Sequence, residues 1–144
     1  MAVSRGMRRL QHVLELQEEQ YRSALDAALA ELKELDTAFK ATGKQERTGR
    51  NLVRASAGTG EILDRLAGLE ESRLAARRGA ALAPKIGETE AGVNARRREF
   101  LEKRTERRKA ETLILKAEAE DAVDADRRRQ RELDDWYLRK LRRE

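Results

Sequence analysis

Residues 10–39 read LQHVLELQEEQYRSALDAALAELKELDTAF, and their spacing decides the fold class. Leu10, Leu14, Gln17, Tyr21, Leu25, Ala28, Leu32, Leu35 and Phe39 are separated by 4, 3, 4, 4, 3, 4, 3 and 4 residues. Apolar side chains at alternating steps of three and four line one stripe of an α-helix, the a/d seam of a coiled coil. The two consecutive steps of four around Tyr21 form a stutter, which predicts a local relaxation of the left-handed supercoil. Ser4 is the candidate N-cap of this helix, with Gly6 weakening its first turn.

The composition agrees with long helices. Charged residues make up 41% of the 144 residues, while the aromatics are only Tyr21, Phe39, Phe100, Trp136 and Tyr137. A compact domain of this length closes its core with more large apolar side chains than that. Ala, Glu, Lys, Leu and Arg dominate, the usage of coiled coils. One proline, Pro84, and few β-branched residues argue against a sheet. The absence of cysteine excludes disulfides, thiolate chemistry and Cys-based zinc sites. No apolar run approaches the roughly 20 residues of a membrane span. The N-terminus lacks the apolar core of a signal peptide, which predicts a cytoplasmic protein.

Beyond Phe39 the pattern weakens. Ala57-Gly58-Thr59-Gly60 is the strongest turn signal in the chain, and Glu61 and Asp64 then suit the positive end of a second helix. That helix opens with the apolar set Ile62, Leu63, Leu66, Leu69 and Leu74, then must cross Gly79, Pro84, Gly87 and Gly92, where a break or kink is expected. Past Gly92 it resumes with Val93, Phe100, Leu101, Leu113, Ile114 and Leu115. A turn near 58 leaves a long second helix that overhangs the N-terminus; a turn at 79–92 makes two more equal arms. From Lys116 to Glu132 only alanines and Val123 are apolar, as suits an unpaired overhang, and this favours the turn near 58. The expectation is an all-α, elongated, antiparallel two-helix coiled-coil hairpin in a single domain, 1–144. Helix one covers about 4–55, the turn about 56–60, and helix two about 61–143.

Charge is blocked along the chain. Residues 11–36 carry a net −5, 96–109 a net +5, 111–126 a net −5 and 127–143 a net +5. A turn near 58 sets the first acidic block against much of the first basic one, which selects antiparallel alignment more than it stabilises it.

Catalytic chemistry is not written in these residues. There is no nucleophile–base pair and no phosphate loop, because Gly58-Thr59-Gly60 lacks the strand and spacing such a loop requires. His12 reads as a surface histidine. Glu118, Glu120, Asp121, Asp124 and Asp126 spread around a helix rather than converging on a cation. No catalytic, cofactor-binding or metal residue is therefore assigned, and no cofactor is expected. The triplets Arg96-Arg97-Arg98 and Arg127-Arg128-Arg129 point about 100° apart per residue and are interleaved with acids, which disfavours nucleic acid. The distinctive end is C-terminal. Leu133, Trp136, Tyr137 and Leu141 form one helical stripe rimmed by Arg139, Lys140, Arg142 and Arg143. They either clamp the start of helix one or dock into another protein.

Arg8-Arg9-Leu10, Val13-Leu14-Glu15-Leu16 and Glu18-Glu19 look like the start of the FliJ/YscO (SctO) family of type III secretion proteins. Gln130-Arg131-Glu132-Leu133-Asp134-Asp135-Trp136, followed by Arg139, is similar to that family's closing motif: a Gln or Lys, an apolar residue, an acidic pair, an aromatic or small residue, and an Arg. The length, turn position and long second helix fit as well. The resemblance implies a non-enzymatic stalk like the central subunit of rotary ATPases. It implies insertion into the hexameric export ATPase and contact with the cytoplasmic domain of the export-gate membrane protein, with export chaperones as a further partner class. On this reading Gln130, Leu133, Asp134, Trp136, Tyr137 and Arg139 make the ATPase-side contact. The gate-binding surface lies nearer the other end of the hairpin. The implied location is cytoplasmic, peripheral to the inner-membrane export apparatus, without direct membrane insertion and without nucleic acid. The rivals are a self-associating structural coiled coil and a basic nucleic-acid-binding helical protein.

Overall fold

In a computed structural model, which describes every residue except Met1, Ala2 and Ser4, the chain is two helices. α1 spans Arg5–Thr59 and α2 spans Ile62–Arg143. They pack as an antiparallel hairpin, and no strand occurs among the described residues. The proposed cap, Ser4, lies outside the described residues. α1 runs past its expected end near 55 to Thr59, and the chain reverses at Gly60, whose φ of 75° is a left-handed conformation that glycine adopts without a Cβ clash. The Gly60 N–H donates to the Ser56 carbonyl at 2.8 Å, closing the helix end as an αL cap.

Two units make up the chain. One joins the residues through Tyr21 to Phe100–Glu144; the other is Arg22–Glu99.

In the 22–99 unit, the inward residues of α1 are Leu25, Ala28, Leu32, Leu35, Thr42, Glu46, Gly49, Val53 and Ser56. Those of α2 are Gly68, Ser72, Ala75, Gly79, Leu82, Ile86, Thr89 and Val93, an unbroken alternation of fours and threes. Leu25, Ala75 and Val93 are buried, whereas Leu32 and Leu35 are half-buried. Towards the turn the seam consists of small residues. A Cβ on Gly49 would stand 2.6 Å from the Gly68 carbonyl oxygen and 2.8 Å from the Ser72 nitrogen; one on Gly68 would stand 2.7 Å from the Gly49 carbonyl oxygen. The backbones therefore meet directly. Two hydroxyls buried in this seam are satisfied within their own helix: Thr42 Oγ1 donates to the Phe39 carbonyl at 2.7 Å and Ser56 Oγ to the Val53 carbonyl at 2.9 Å.

This seam corrects the sequence-based reading of the second helix. Ile62, Leu63, Leu66, Leu69 and Leu74, expected to start the apolar face, are exposed, Ile62 at 71% and Leu63 at 82%. Branched side chains cannot fit where the backbones touch, so glycine, serine and alanine take the inward positions. Phe39 is likewise displaced, at 43% exposure. The expected break at 79–92 is absent, and α2 is helical through Gly79, Pro84, Gly87 and Gly92. Pro84 and Ala80, whose carbonyl loses its helical donor at the proline, are both exposed, so that carbonyl lies on the solvent side of the helix.

At the turn, the Glu61 carboxyl sits above its ordinary pKa because it hydrogen-bonds Asp64 and, next, because the Asp64 charge repels its own. A carboxyl whose folded pKa is raised stabilises the fold when protonated, at low pH, and loses that contribution as pH rises through the folded value. Glu61→Gln is therefore expected to raise the melting temperature slightly at neutral pH and to leave it unchanged below the carboxylate range, as read by circular dichroism. The glycine contact gives a sharper test. Gly49→Ala or Gly68→Ala is expected to destabilise by about 1–3 kcal/mol through overpacking. Gly87→Ala, with nothing within 4 Å of its added carbon, should instead stabilise by about 0.5–1 kcal/mol. Leu25→Ala should cost about 2–3 kcal/mol. Thermal melts of the four variants check all three expectations.

Candidate functional site

The unit containing the C-terminal half of α2 starts as a paired coiled coil and ends as a bare helix. Along α1 its half-buried positions include Met7, Gln11, Leu14, Glu18 and Tyr21, again at steps of four and three. Leu10 is 55% exposed and stands outside the seam, whereas Gln17 and Glu18 are both half-buried ahead of Tyr21. Opposite it, Ile114 and Ala117 are buried and Phe100, Lys103 and Arg107 are half-buried.

Polar side chains fill much of this seam and join the helices. The Arg107 guanidinium donates through Nε to Glu18 and through Nη1 to Glu111 at 2.9 Å, with Arg107 and Glu18 only 22% and 17% exposed. Lys103 Nζ lies 5.6 Å from the centre of the Tyr21 ring, and Arg8 approaches Glu118 at 4.0 Å. Glu18 belongs to the acidic 11–36 block and Arg107 to the basic 96–109 block, so the two blocks meet in at least this pair. The Val3 N–H donates to Asp121 Oδ2 at 3.0 Å. Pairing thus runs past Lys116, where an overhang was expected to start. Ala117, only 4% exposed, shows why: alanine is a seam residue where helices approach closely.

Beyond Ala125 every residue of α2 is exposed. This overhang carries the residues that the sequence singled out. Leu133, Trp136, Tyr137, Leu138 and Leu141 are all exposed, Trp136 at 54% and Tyr137 at 61%, so they do not clamp the start of α1. Gln130 Nε2 donates to Asp134 Oδ1 at 3.2 Å. The Trp136 and Tyr137 rings meet edge to face, their centres 5.4 Å apart, and Lys140 Nζ lies 5.2 Å from the Trp136 ring centre. Leu133 and Trp136 line a shallow groove of about 550 Å³ with Arg129 and Glu132, and Arg139 flanks Trp136 beside Lys140 and Arg143. Lys140, Arg142 and Arg143 in the last turn complement the negative end of the helix dipole.

Such a surface suits binding by burial of aromatic and aliphatic groups inside a basic rim. Among the described residues no three His, Asp or Glu side chains gather into a metal-binding group, and no helix is long and apolar enough to cross a membrane. Sequence reasoning missed the Glu18–Arg107 pair and the Lys103–Tyr21 contact. A search for opposite charges at inward heptad positions would have found the first. A double-mutant cycle on Glu18→Ala and Arg107→Ala is expected to give a coupling of about 1–2 kcal/mol in thermal or urea unfolding, since the pair is shielded on both sides. No family model, curated protein or solved structure matches this chain.

Proposed function

We propose that this chain is a non-enzymatic stalk of a type III secretion or flagellar export apparatus, its C-terminal end entering the export ATPase hexamer and the hairpin coupling that ATPase to the export gate. The observation that carries the reading is the bare end of α2. From Asp126 to Arg143 the helix continues without a partner for about 27 Å at 1.5 Å per residue. A lone amphipathic helix that keeps a tryptophan, a tyrosine and three leucines exposed gains little from folding alone. It gains from a partner that desolvates them.

The sequence resemblance adds the identity of that partner. Gln130, Leu133, Asp134, Trp136 and Arg139, the positions matched to the closing motif, and Tyr137 of the same stripe all lie on this end and all are exposed. Leu133, Trp136 and Tyr137 supply the apolar anchor, and Arg139 with its basic neighbours meets acidic or carbonyl groups around a pore. The export chaperones and the gate protein belong to the same proposal, as does a location at the cytoplasmic side of the export apparatus.

Removal of residues 130–144 separates binding from folding. Helicity per remaining residue and the melting temperature are expected to stay nearly unchanged, because every residue of the deleted segment is exposed. Stimulation of export-ATPase hexamer assembly is expected to be lost, and Trp136→Ala alone should cost about 2 kcal/mol or more of affinity for the hexamer. Retained stimulation by the truncated protein would sink the reading.

A further inference from the structure

The face of α2 turned away from α1 is apolar too, and it extends into the overhang. Phe100, Lys103, Arg107, Ile114, Ala117 and Asp121 are the positions turned towards α1. Half a turn round the helix, Leu101, Leu115, Val123, Leu133, Tyr137 and Leu141 all lie exposed. From Ala119 onwards this outer stripe keeps heptad spacing: Ala119, Val123, Asp126, Gln130, Leu133, Tyr137 and then Lys140 with Leu141.

We infer that the overhang pairs with the overhang of a second copy of this chain, antiparallel, with Gln130 of each copy opposite Leu133 of the other. The argument is self-complementarity about a two-fold axis. In this alignment Asp126 lies beside Tyr137 of the second copy, a carboxylate acceptor next to a phenol donor. Val123 lies beside Leu141 and the aliphatic stem of Lys140. On one flank Arg127 meets Asp134, and on the other Arg129 meets the Trp136 ring, a cation over an aromatic face. Each contact occurs twice. The charge blocks match as well: Arg127, Arg128, Arg129 and Arg131 run along Glu132, Asp134 and Asp135, while Arg139 to Arg143 run along Glu120 and Asp124.

The parallel alternative fails on the same residues. It would stack Asp126 on Asp126 and Lys140 on Lys140 in the seam, placing like charges in contact. Nor does α1 obstruct the antiparallel pair, since it packs on the opposite face of α2 and its described residues reach no further than the Val3–Asp121 contact. The paired stretch is about 36 Å long, short for a coiled coil and at the small end of specific interfaces, so the dimer is weak, on the order of micromolar. This inference does not rest on the stalk reading. Where both hold, the dimer covers Leu133, Trp136 and Tyr137, and self-pairing and entry into an ATPase exclude one another.

Sedimentation equilibrium of the full chain at low salt, from about 5 to 200 μM, tests this directly. The apparent mass is expected to rise from 16.5 kDa towards twice that value. Arg127→Asp and Asp134→Arg each place like charges opposite one another twice, and each should weaken dimerisation by about tenfold or more. The double variant Arg127→Asp/Asp134→Arg restores opposite charges and should return the dissociation constant to within about threefold of the parent. These are exposed positions on a helix, and circular dichroism checks that the variants stay folded. A parent chain of constant mass across the range overturns the proposal. So does a dimer that the single swaps leave intact, or one that the double swap fails to restore.

Discussion

Where Gly49 meets Gly68 the two helices leave no room for a methyl group, and the arrangement of the 22–99 unit follows from that constraint. Backbones that touch at one level hold the neighbouring levels close, so the next inward residues are Ser56 and Ser72, Thr42 and Gly79, and Ala75. Farther from the turn the same register brings Leu35 beside Ile86 and Ala28 beside Val93, and ordinary coiled-coil side chains return. A slip of one heptad would set Ala75 against Gly49 and Ser56 against Gly68, or Glu61 and Thr42 in the other direction, each bringing a side chain where the contact leaves no room for one. Register is thus set by exclusion: the observed alignment brings Gly49, Gly68 and Ser72 together where an added carbon does not fit. Charge complements it in the other unit, where Glu18 finds Arg107 in a shielded site.

The fold class was legible because residues 10–39 repeat large apolar side chains at helical spacing. Leu14, Tyr21, Leu25, Ala28, Leu32 and Leu35 all lie on the inward side of α1. Two misreadings have a common cause, the equation of inward with large and apolar. It made Leu10 a seam residue when Met7, Gln11 and Glu18 continue the inward series, and it selected Ile62, Leu63 and Leu66 when Gly68, Ser72 and Ala75 form the actual seam. Close packing inverts the usual rule, since small residues gain by letting backbones approach and large ones are pushed to the rim. Pro84 misled for a different reason. The cost of an interior proline is an unsatisfied carbonyl, and here that carbonyl belongs to an exposed residue on a helix held by packing on its other side.

The candidate site was legible in its membership but not in its surroundings. The i, i+3, i+4, i+8 spacing of Leu133, Trp136, Tyr137 and Leu141 marked a stripe. Whether the stripe faced α1 depended on where the pairing ended, and residue patterns place that end poorly when alanines and an acidic side chain carry it. With Ala117 buried and Asp121 bonded to Val3, the paired region closes just short of the stripe and leaves it bare. The α2 helix therefore presents two different faces: one holds α1 and the other, in the overhang, stays exposed.

The central claim, that a small-residue seam fixes the alignment of α1 and α2, is most directly tested by disulfide trapping, which is clean here because the chain has no cysteine. A carbon added at Gly79 would lie 3.3 Å from Thr42 Oγ1, so the pair Thr42→Cys/Gly79→Cys is expected to oxidise rapidly and within one chain. The pair Thr42→Cys/Ile86→Cys, one heptad away, should remain reduced under the same conditions. Preferential oxidation of the second pair, or crosslinking of the first only between chains, would contradict the account.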